Sequence, residues 1–338
     1  MMSPRVTIIM PIYNVGKYLR ESIDGILAQT YRDFELLVMD DYSTDDSSEI
    51  IATYTDPRIR YICNSYNLGL ADNLNKCLSL VHTELIARMD GDDIAEPNWL
   101  QRNIEVLDSH PEIGICSSGF QFFGTRNSLV RYPQSHEDSM AQMLFGCTVI
   151  VPVIRMSFLE KYHLRYNKDA FPAEDYDLWS RCYPLTRVYN IQETLFHYRM
   201  HESQISTSRR EVQIIKTNEV RLRMLNLLNP NLSEEDKAYF IGNYGLAHIE
   251  GLSDLQKMIA FGEKLEKMNV GTYSPQSLHN RLSGQVSAAA FLYVQRTFWN
   301  EGYSISKYLS YLTSGFARYI PAKYKVKFLL KSIVRRAH

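Results

Sequence analysis

Three aspartates lie within four positions directly behind a short apolar run. Asp90, Asp92 and Asp93 follow LIAR at 85–88, a run typical of the end of a buried strand. Carboxylate oxygens are the ligands that Mg²⁺ and Mn²⁺ prefer, with water and substrate phosphates completing the shell. Without a cation, such a cluster repels itself and raises the pKa of one member. The spacing therefore predicts a divalent-cation site for a phosphorylated ligand, the alternative being a solvated turn in which Asp92 or Asp93 caps the next helix.

A second acidic pair, Asp40 and Asp41, follows the apolar run that ends at residue 39. A carboxylate at this point can accept hydrogen bonds from a nucleobase N–H or a ribose hydroxyl. The alternative is helix capping, but Ser43 and Thr44 are themselves good N-cap residues for the helix predicted at 43–54. Because a further cap is redundant, the pattern favours a ligand role for Asp41.

A third acidic group, formed by Glu174, Asp175 and Asp177, stands at the start of a predicted helix. The helix dipole stabilises carboxylates in the first turn, which is a sufficient structural reason for any one of them. One that faces a pocket could instead serve as a general base for a hydroxyl nucleophile. Further along the chain, His201 could be a third metal ligand or a polar loop residue.

Strand-like and helix-like segments alternate through the first half of the chain. Such alternation predicts right-handed βαβ units and a mostly parallel sheet. Ligands of these sheets bind beyond the carboxyl ends of the strands, where both strand-end aspartate groups lie. The predicted strands are 6–10, 34–40, 58–62 and 84–90, and the predicted helices are 16–30, 43–54, 70–81 and 98–110.

The second half has a looser pattern and then becomes helical. After a predicted helix at 174–182, the segments 187–191 and 194–200 read as two strands that flank a turn. Beyond about residue 211, apolar residues recur at helical spacing. This change predicts two domains, 1–210 and 211–338, with the boundary between 205 and 215.

Composition excludes several classes of protein. The net charge of −1 does not fit a protein that coats polyanions. Five cysteines at no metal-like spacing indicate reduced thiols in a cytoplasm. The first apolar run is shorter than a secretory signal, and the longest uncharged stretch, 139–154, is too short to span a bilayer. We therefore expect a cytoplasmic protein without a membrane-spanning helix.

Common nucleotide-binding and nucleophile motifs are absent from the sequence. There is no G-x-G-x-x-G fingerprint, and GFQFFGT at 119–125 lacks the G-K-[ST] ending of a P-loop. No G-x-S-x-G nucleophile elbow occurs. The sequence thus predicts that a metal ion, and not a glycine-rich loop, holds any phosphate.

Taken in order, six segments resemble the family-2 glycosyltransferases, which are inverting, nucleotide-sugar-dependent enzymes. Each segment alone is a weak signal, but six in the same order with similar gaps are specific. The resemblance extends over about residues 4–206. The segments are PIYN (11–14), DDYSTD (40–45), NLGLADNLN (67–75), RMDGDD (88–93), EDYDLW (174–179) and YRMHESQIS (198–206).

The resemblance implies a fold and a reaction. The fold is the GT-A type of nucleotide-diphospho-sugar transferases, a mixed, mostly parallel sheet flanked by helices, here with a helical C-terminal region. The reaction moves a sugar, by default from a UDP-sugar, to a hydroxyl of a glycan or lipid-linked acceptor in surface polysaccharide biosynthesis. The alternatives are a sugar-phosphate nucleotidyltransferase, which would need a glycine-rich signature near the N-terminus, and a non-catalytic nucleotide-sugar-binding protein.

The resemblance also implies roles for individual residues. Asp175 is the catalytic base, with Glu174 beside it, and the cofactor is Mn²⁺ or Mg²⁺. The metal ligands come from the Asp90–Asp93 cluster, foremost Asp92 and Asp93, together with His201. One departure is Asp72, where some relatives place a basic residue near the diphosphate, and Arg88 is its expected substitute. The implied nucleotide-binding residues are Pro11, Tyr13, Asn14, Asp41, Asn67, Arg88 and Asp90.

The C-terminal tail, 302–338, has eight Lys and Arg residues and no Asp or Glu. Aromatic and aliphatic residues are interleaved with these charges, which suits an anionic membrane surface. The alternative is a cationic helix packed on the catalytic domain with its charges in water. A nucleic-acid partner is disfavoured because no binding module is recognisable. We therefore expect a cytoplasmic enzyme that associates peripherally with the inner face of the cytoplasmic membrane.

Overall fold

The computed structural model describes residues 4–201, 204 and 209–334, which form two compact units. The units divide between Arg221 and Leu222. This division falls within a helix and lies close to the domain boundary predicted at 210, which stays a prediction.

A mixed sheet forms the centre of the first unit. Within the described residues its strand order is β3-β2-β1-β4-β8-β6-β9-β5, with β7 paired to β6. Strands β1 to β4 pair in parallel with one another, as do β6 and β9, whereas β8 and β5 pair antiparallel to their neighbours. The strands are β1 Val6–Ile12, β2 Phe34–Asp40, β3 Ile59–Cys63, β4 Leu85–Arg88, β5 Ile94–Ala95, β6 Ile113–Gly124, β7 Ser128–Val130, β8 Val153–Arg155 and β9 Arg187–Met200.

Helices bury apolar faces against this sheet. In α1 the residues Leu19, Ile23 and Ile26, spaced four and three apart, are fully buried with strand residues such as Ile8 and Leu36. This is the face that the sequence spacing predicts. The helices are α1 Gly16–Leu27, α2 Ser47–Ala52, α3 Leu70–Leu80, α4 Trp99–Ser109, α5 His136–Gln142, α6 Met156–Lys161 and α7 Glu174–Cys182.

The βαβ prediction is confirmed over the first 110 residues, although the start of one helix and the course of two later strands differ from the prediction. Helix α2 begins at Ser47 and not at Ser43 or Thr44. The two strands predicted at 187–191 and 194–200 form the single strand β9, because register shifts opposite Gly119 absorb the expected turn. Strand β6 was not predicted, although it lies inside the sheet.

The second unit is helical, as the sequence predicts. Helix α8 contains the division between the units, and a π-helical turn at Phe240–Tyr244 follows α9. In the part of the chain that the structure describes, none of the helices combines the length and apolarity needed to cross a membrane. The helices are α8 Arg210–Leu228, α9 Glu234–Tyr239, α10 Leu252–Met268, α11 Pro275–Glu301, α12 Ile305–Thr313 and α13 Ala322–Val334.

Candidate active site

Parallel pairing brings the strand-end aspartates to one edge of the sheet. Ile12 at the end of β1 is the partner of Asp40 at the end of β2, and Ile9 is the partner of Arg88 at the end of β4. Because the carboxyl ends of parallel strands share an edge, the residues after β1, β2 and β4 line the same side of the unit. This edge is where the sequence predicted the ligand.

Gly91 allows the turn at residues 90–93, hereafter the aspartate turn, to pack tightly against α1. The Ser22 hydroxyl donates to the Gly91 carbonyl at 3.0 Å. A Cβ at this position would lie 2.8 Å from Cγ2 of Ile12 and 3.1 Å from Cγ2 of Val15, both buried or half-buried branched side chains. The turn between Asp90 and Asp92 therefore has room only for glycine.

Gly91→Ala is expected to lower the free energy of unfolding by about 1–3 kcal/mol, since the added methyl overpacks a fixed contact. The displaced turn should also weaken binding of any ligand held by Asp92. Thermal unfolding and ligand titration measure the two effects. Gly146→Ala is the matched control because nothing lies within 4 Å of a Cβ there; equal stability of the two variants would contradict the packing argument.

Arg88 connects the aspartate turn to the start of α7. Its side chain is only 7% exposed. Nε and Nη2 donate to the two carboxylate oxygens of Asp90 at 3.0 and 3.2 Å, and Nη1 donates to Oδ1 of Asp175. Its guanidinium carbon lies 5.9 Å from the centre of the Tyr166 ring. Although burial opposes ionisation, the two carboxylates hold the pKa of Arg88 well above its ordinary value.

Asp175 is recessed but still reaches solvent. Its side chain is 39% exposed. Removal from bulk water raises the pKa of this carboxyl, the Arg88 charge opposes that shift, and the Asp90 charge adds to it. Asp177, the other candidate in this turn, is buried and accepts from Arg181 at 2.8 Å, so it holds the helix. Among the three acidic residues, Asp175 is the one that is partly exposed and also hydrogen-bonded to the buried Arg88.

Glu174 is buried beside Asp175. Within the described residues its Oε2 has no hydrogen-bond partner. Burial raises the pKa of Glu174 to about 7, with a further contribution from the Asp175 charge and a partial offset from Arg88. Near neutral pH this carboxyl therefore exchanges a proton with small changes in its surroundings.

Glu174→Gln should change how stability depends on pH. The folded pKa of about 7 lies above the unfolded value of about 4.3. Glu174 therefore contributes its full stabilisation below about pH 4.3, and this contribution is lost as the pH rises through about 7. Glutamine cannot ionise, so the difference in melting temperature, variant minus wild type, should increase between pH 5 and 8. Thermal unfolding across this range measures it, with Asp169→Asn as an exposed acidic control. A difference that stays constant with pH would contradict the assignment.

The end of β9 is attached to the aspartate turn. Nε2 of His201 lies 3.0 Å from Oδ2 of Asp92. The Arg199 amide donates to Oδ1 of Asp93 at 2.8 Å, and Arg199 Nε donates to the Asp92 carbonyl at 2.8 Å. The Tyr18 ring packs against both, 4.8 Å from the His201 ring and 4.7 Å from the Arg199 guanidinium. His201 therefore belongs to the cluster that the sequence predicted.

The donor set fits a divalent cation only in part. Across residues 4–201, 204 and 209–334, no group of three or more His, Cys, Asp or Glu side chains is arranged to hold a metal. The predicted ligands Asp92, Asp93 and His201 thus form no closed cage, because Asp93 uses one oxygen to hold β9. Asp92 and His201 do adjoin, which suits an ion that takes its remaining ligands from water and phosphate. The metal-binding role of all three stays a prediction.

Charge repulsion supports a cationic ligand here. Burial and the neighbouring aspartates raise the pKa of both Asp92 and Asp93. The Oδ2 atom of Asp93 is buried and without a hydrogen-bond partner in the described part of the chain. A positive charge at this turn would relieve both conditions.

Asp41 shapes the loop that precedes α3. Its carboxylate accepts from Nδ2 of Asn64 and from the Leu68 and Gly69 amides, each at 2.8 Å. Asn67 donates to the Asp41 carbonyl at 3.2 Å. Asp41 is buried, and both of its carboxylate oxygens accept hydrogen bonds within the protein. Its predicted nucleotide contact stays a prediction.

The prediction that Ser43 or Thr44 caps the next helix was wrong, because α2 begins at Ser47 with Asp46 at the N-cap position. The Asn14 amide donates to the Ser43 hydroxyl at 3.0 Å, and the Thr44 amide donates to Oδ1 of Asn14 at 2.8 Å. These bonds join the loops after β1 and β2, with Asn14 in the left-handed region at φ 53°.

Exposed tyrosines flank this joined pair of loops. Tyr13 follows β1 and is 50% exposed, whereas Pro11 is buried within β1. Tyr42 follows β2, is 51% exposed and has a φ of 68°. Tyr13 was selected from the sequence and Tyr42 was missed, although both are aromatic residues two or three positions beyond a predicted strand end.

Two other contributors were also missed from the sequence. Arg199 fixes the aspartate turn, as described above. Asn75 donates to the Tyr166 carbonyl and accepts from the Tyr166 amide, both at 2.8 Å, and so ties α3 to the segment that carries the ring beside Arg88. The signal for Asn75 was its place in an asparagine-rich helix start.

Comparison with known proteins identifies the family. Residues 7–180 match the family model described as Glycosyl transferase family 2. The chain belongs to glycosyl transferase family 2. The chain is 32% identical over 219 residues to an uncharacterised glycosyltransferase of Haemophilus influenzae, covering 60% of this chain and 68% of the relative. It is 35% identical over 205 residues to EpsE of Bacillus subtilis, named as a candidate glycosyltransferase, covering 58% and 73%.

Solved structures share the fold of this glycosyltransferase. S. aureus TarS 1–349 in complex with UDP-GlcNAc aligns with a TM-score of 0.60 at 16% identity, covering 88% of this chain and 93% of TarS. The mannosyltransferase PcManGT from Pyrobaculum calidifontis, in complex with GDP-Man and Mn²⁺, aligns with a TM-score of 0.51 at 15% identity, covering 98% and 86%. These likenesses confirm the predicted GT-A type fold.

Proposed function

We propose that this family-2 glycosyltransferase moves a sugar from a nucleotide diphosphate sugar to an acceptor hydroxyl by a single, inverting displacement. The donor is a UDP-sugar, the nucleotide bound by TarS. The acceptor is a hydroxyl of a glycan or a lipid-linked sugar in surface polysaccharide biosynthesis. The observation that supports this most is the shared use of Arg88 by Asp90 and Asp175.

The shared guanidinium gives the two carboxylates different tasks. Asp90 accepts two donors from Arg88 and so holds that cation over the aspartate turn. Asp175 accepts one donor on Oδ1, at the start of α7. A donor diphosphate at the turn and an acceptor hydroxyl at Asp175 would then lie on the two sides of one fixed charge.

In this mechanism Asp175 is the general base. Oδ2 takes the proton of the acceptor hydroxyl, since Oδ1 is already hydrogen-bonded to Arg88. The acceptor oxygen forms a bond to the anomeric carbon, and the bond from that carbon to the diphosphate breaks, its electron pair leaving on the diphosphate oxygen. One carboxylate suffices because the leaving group departs as an anion and needs no proton, unlike the two-carboxylate hydrolysis of glycosides.

Asp92 and His201 are the residues that would hold a divalent cation, and when bound it would offset the negative charge that develops on the diphosphate. The Tyr13 ring would stack on the nucleobase of the donor, and Tyr42 provides a second exposed ring on the neighbouring loop. The loop that Asp41 organises would carry the contact of Asn67 to the nucleoside, and the joined loops after β1 and β2 would carry that of Asn14. These roles rest on the resemblance of the segments and on the exposure of the two rings.

Release of nucleotide from a panel of sugar donors tests the proposal. The full chain is incubated with UDP-, GDP- and dTDP-sugars, with Mn²⁺ and with a mixed set of glycan and lipid-linked acceptors. We expect UDP release from at least one UDP-sugar and an anomeric configuration in the product opposite to that of the donor, read by proton NMR.

The alternatives predict different results. A sugar-phosphate nucleotidyltransferase would transfer no sugar in this assay and would release pyrophosphate in a second assay that supplies UTP and a sugar 1-phosphate. A non-catalytic binding protein would bind UDP and turn over no donor. Either result, or a product that retains the anomeric configuration, would contradict the proposal.

A further inference from the structure

Exposed apolar side chains are concentrated at the end of the second unit. Helices α12 and α13 both present large aliphatic residues to solvent at helical spacings of four and three. Each of these side chains is between 42% and 60% exposed. On α12 they are Ile305, Leu309 and Leu312, and on α13 they are Val326, Leu330, Ile333 and Val334.

Helix α13 is attached through its opposite face. At about 100° per residue, Val326, Leu330 and Ile333 lie within about 60° of one another. Phe328 lies on the other side of the helix, where its ring stacks on Phe298 with centroids 5.1 Å apart. The contact of Phe328 therefore leaves Val326, Leu330 and Ile333, hereafter the aliphatic stripe, without a partner within the described residues of the second unit.

The charged residues of α12 and α13 all have the same sign. Exposed lysines at 323, 327 and 331 form a row along α13, next to the stripe. The described residues from Gly302 onwards carry six Lys and Arg and no Asp or Glu, although acidic residues outnumber basic ones in the chain as a whole. Arg335 and Arg336, which the sequence assigned to the same tail, lie outside the described residues.

We infer that the exposed faces of α12 and α13, hereafter the basic apolar face, dock on an anionic lipid surface. An aliphatic stripe can enter the boundary between headgroups and acyl chains, and adjacent lysines are attracted by anionic headgroups. A second copy of the chain is a poorer occupant, since two such faces would bring like charges together. An anionic lipid surface can contact both the aliphatic side chains and the lysines of the basic apolar face. This inference goes beyond the proposed reaction and does not depend on it.

Co-sedimentation of the full chain with lipid vesicles tests the inference. Vesicles of phosphatidylcholine with phosphatidylglycerol should bind the protein, and vesicles of phosphatidylcholine alone should bind it at least about tenfold more weakly. Lys323→Gln, Lys327→Gln and Lys331→Gln combined should lower the partition coefficient for the anionic vesicles by about 100-fold. The matched control combines Lys161→Gln, Lys168→Gln and Lys257→Gln, three exposed lysines elsewhere, and should bind as the wild type does.

A second set of variants tests the apolar part. Leu309→Gln, Leu330→Gln and Ile333→Gln combined should weaken vesicle binding by about tenfold or more. The control is Leu129→Gln, Leu185→Gln and Val270→Gln, which are also exposed aliphatic residues. Thermal unfolding and UDP titration of each variant show whether the fold and the donor site are intact, so failure of the membrane inference is distinguishable from failure of the proposed function.

Three outcomes would overturn the inference. The first is a wild-type chain that binds neither kind of vesicle, or both kinds equally. The second is anionic-vesicle binding that survives the combined lysine variant. The third is sedimentation equilibrium in which the wild type is a dimer and the Leu309, Leu330 and Ile333 variant is a monomer, which would make the face an interface between copies.

Discussion

Asp175→Asn is expected to lower the turnover number for sugar transfer by about 10²–10⁴-fold, the usual contribution of a general base. Asparagine keeps an oxygen that can accept from Arg88 but cannot take a proton at neutral pH. Donor affinity should therefore change little, and the loss should fall on kcat and not on KM. Steady-state UDP release, combined with calorimetric titration of UDP, separates the two effects.

Asp169→Asn is the matched control for this variant, because Asp169 is an exposed acidic residue shortly before the same helix. It should retain wild-type kcat. If Asp175→Asn instead weakened UDP binding with kcat unchanged, Asp175 would be a donor ligand and the base would have to be sought elsewhere. Glu174, with its raised pKa, would be the next residue to examine.

Arg88→Met should destabilise the fold and reduce turnover together. Removing the guanidinium leaves Asp90 and Asp175 without their shared cation. We expect a loss of about 3 kcal/mol in the free energy of unfolding, the low end for breaking a buried ion pair, because both carboxylates keep some contact with water. A misplaced base should cost about 100-fold in kcat. Chemical denaturation and UDP release measure the two losses.

Arg102→Met is a matched control for Arg88→Met. Arg102 also pairs with two carboxylates, those of Glu105 and Glu193, but all three side chains are at least 40% exposed. Such surface pairs contribute about 0–1 kcal/mol, so this variant should remain close to wild type in stability and turnover. Equal losses in the two variants would mean that burial of Arg88 does not increase its contribution to stability or turnover.

The sequence predicted the features that depend on residues near one another in the chain or on a recognisable series of segments. The resemblance implied that Asp92, Asp93 and His201 form one cluster, and the structure brings Asp92 and His201 within 3.0 Å. The parallel βαβ frame follows from apolar periodicity, which depends on near neighbours in the chain. The helix at 174–182 was predicted at its observed bounds, since three acidic residues mark its first turn.

Contacts between distant segments could not be predicted in the same way. Arg88 was assigned to the nucleotide as a substitute for the basic residue that some relatives place near the diphosphate, yet its partner Asp175 is 87 positions away. Asp41 appeared to be available for a ligand because the amides that it accepts belong to residues 27 and 28 positions later. Strand β6 was missed because its apolar and small residues lack strict alternation and because the strands β8 and β9, with which it pairs, both come later in the chain.

Calorimetric titration of UDP tests the donor-site assignment most directly. Wild type and Asp92→Ala are titrated with UDP, and with GDP and dTDP for comparison, in the presence of Mn²⁺ and after EDTA, with Asp169→Ala as the acidic control. We expect UDP binding that depends on Mn²⁺, persists in Asp169→Ala and is lost in Asp92→Ala. Absence of nucleotide binding under every condition, or binding that Asp92→Ala leaves unchanged, would contradict it.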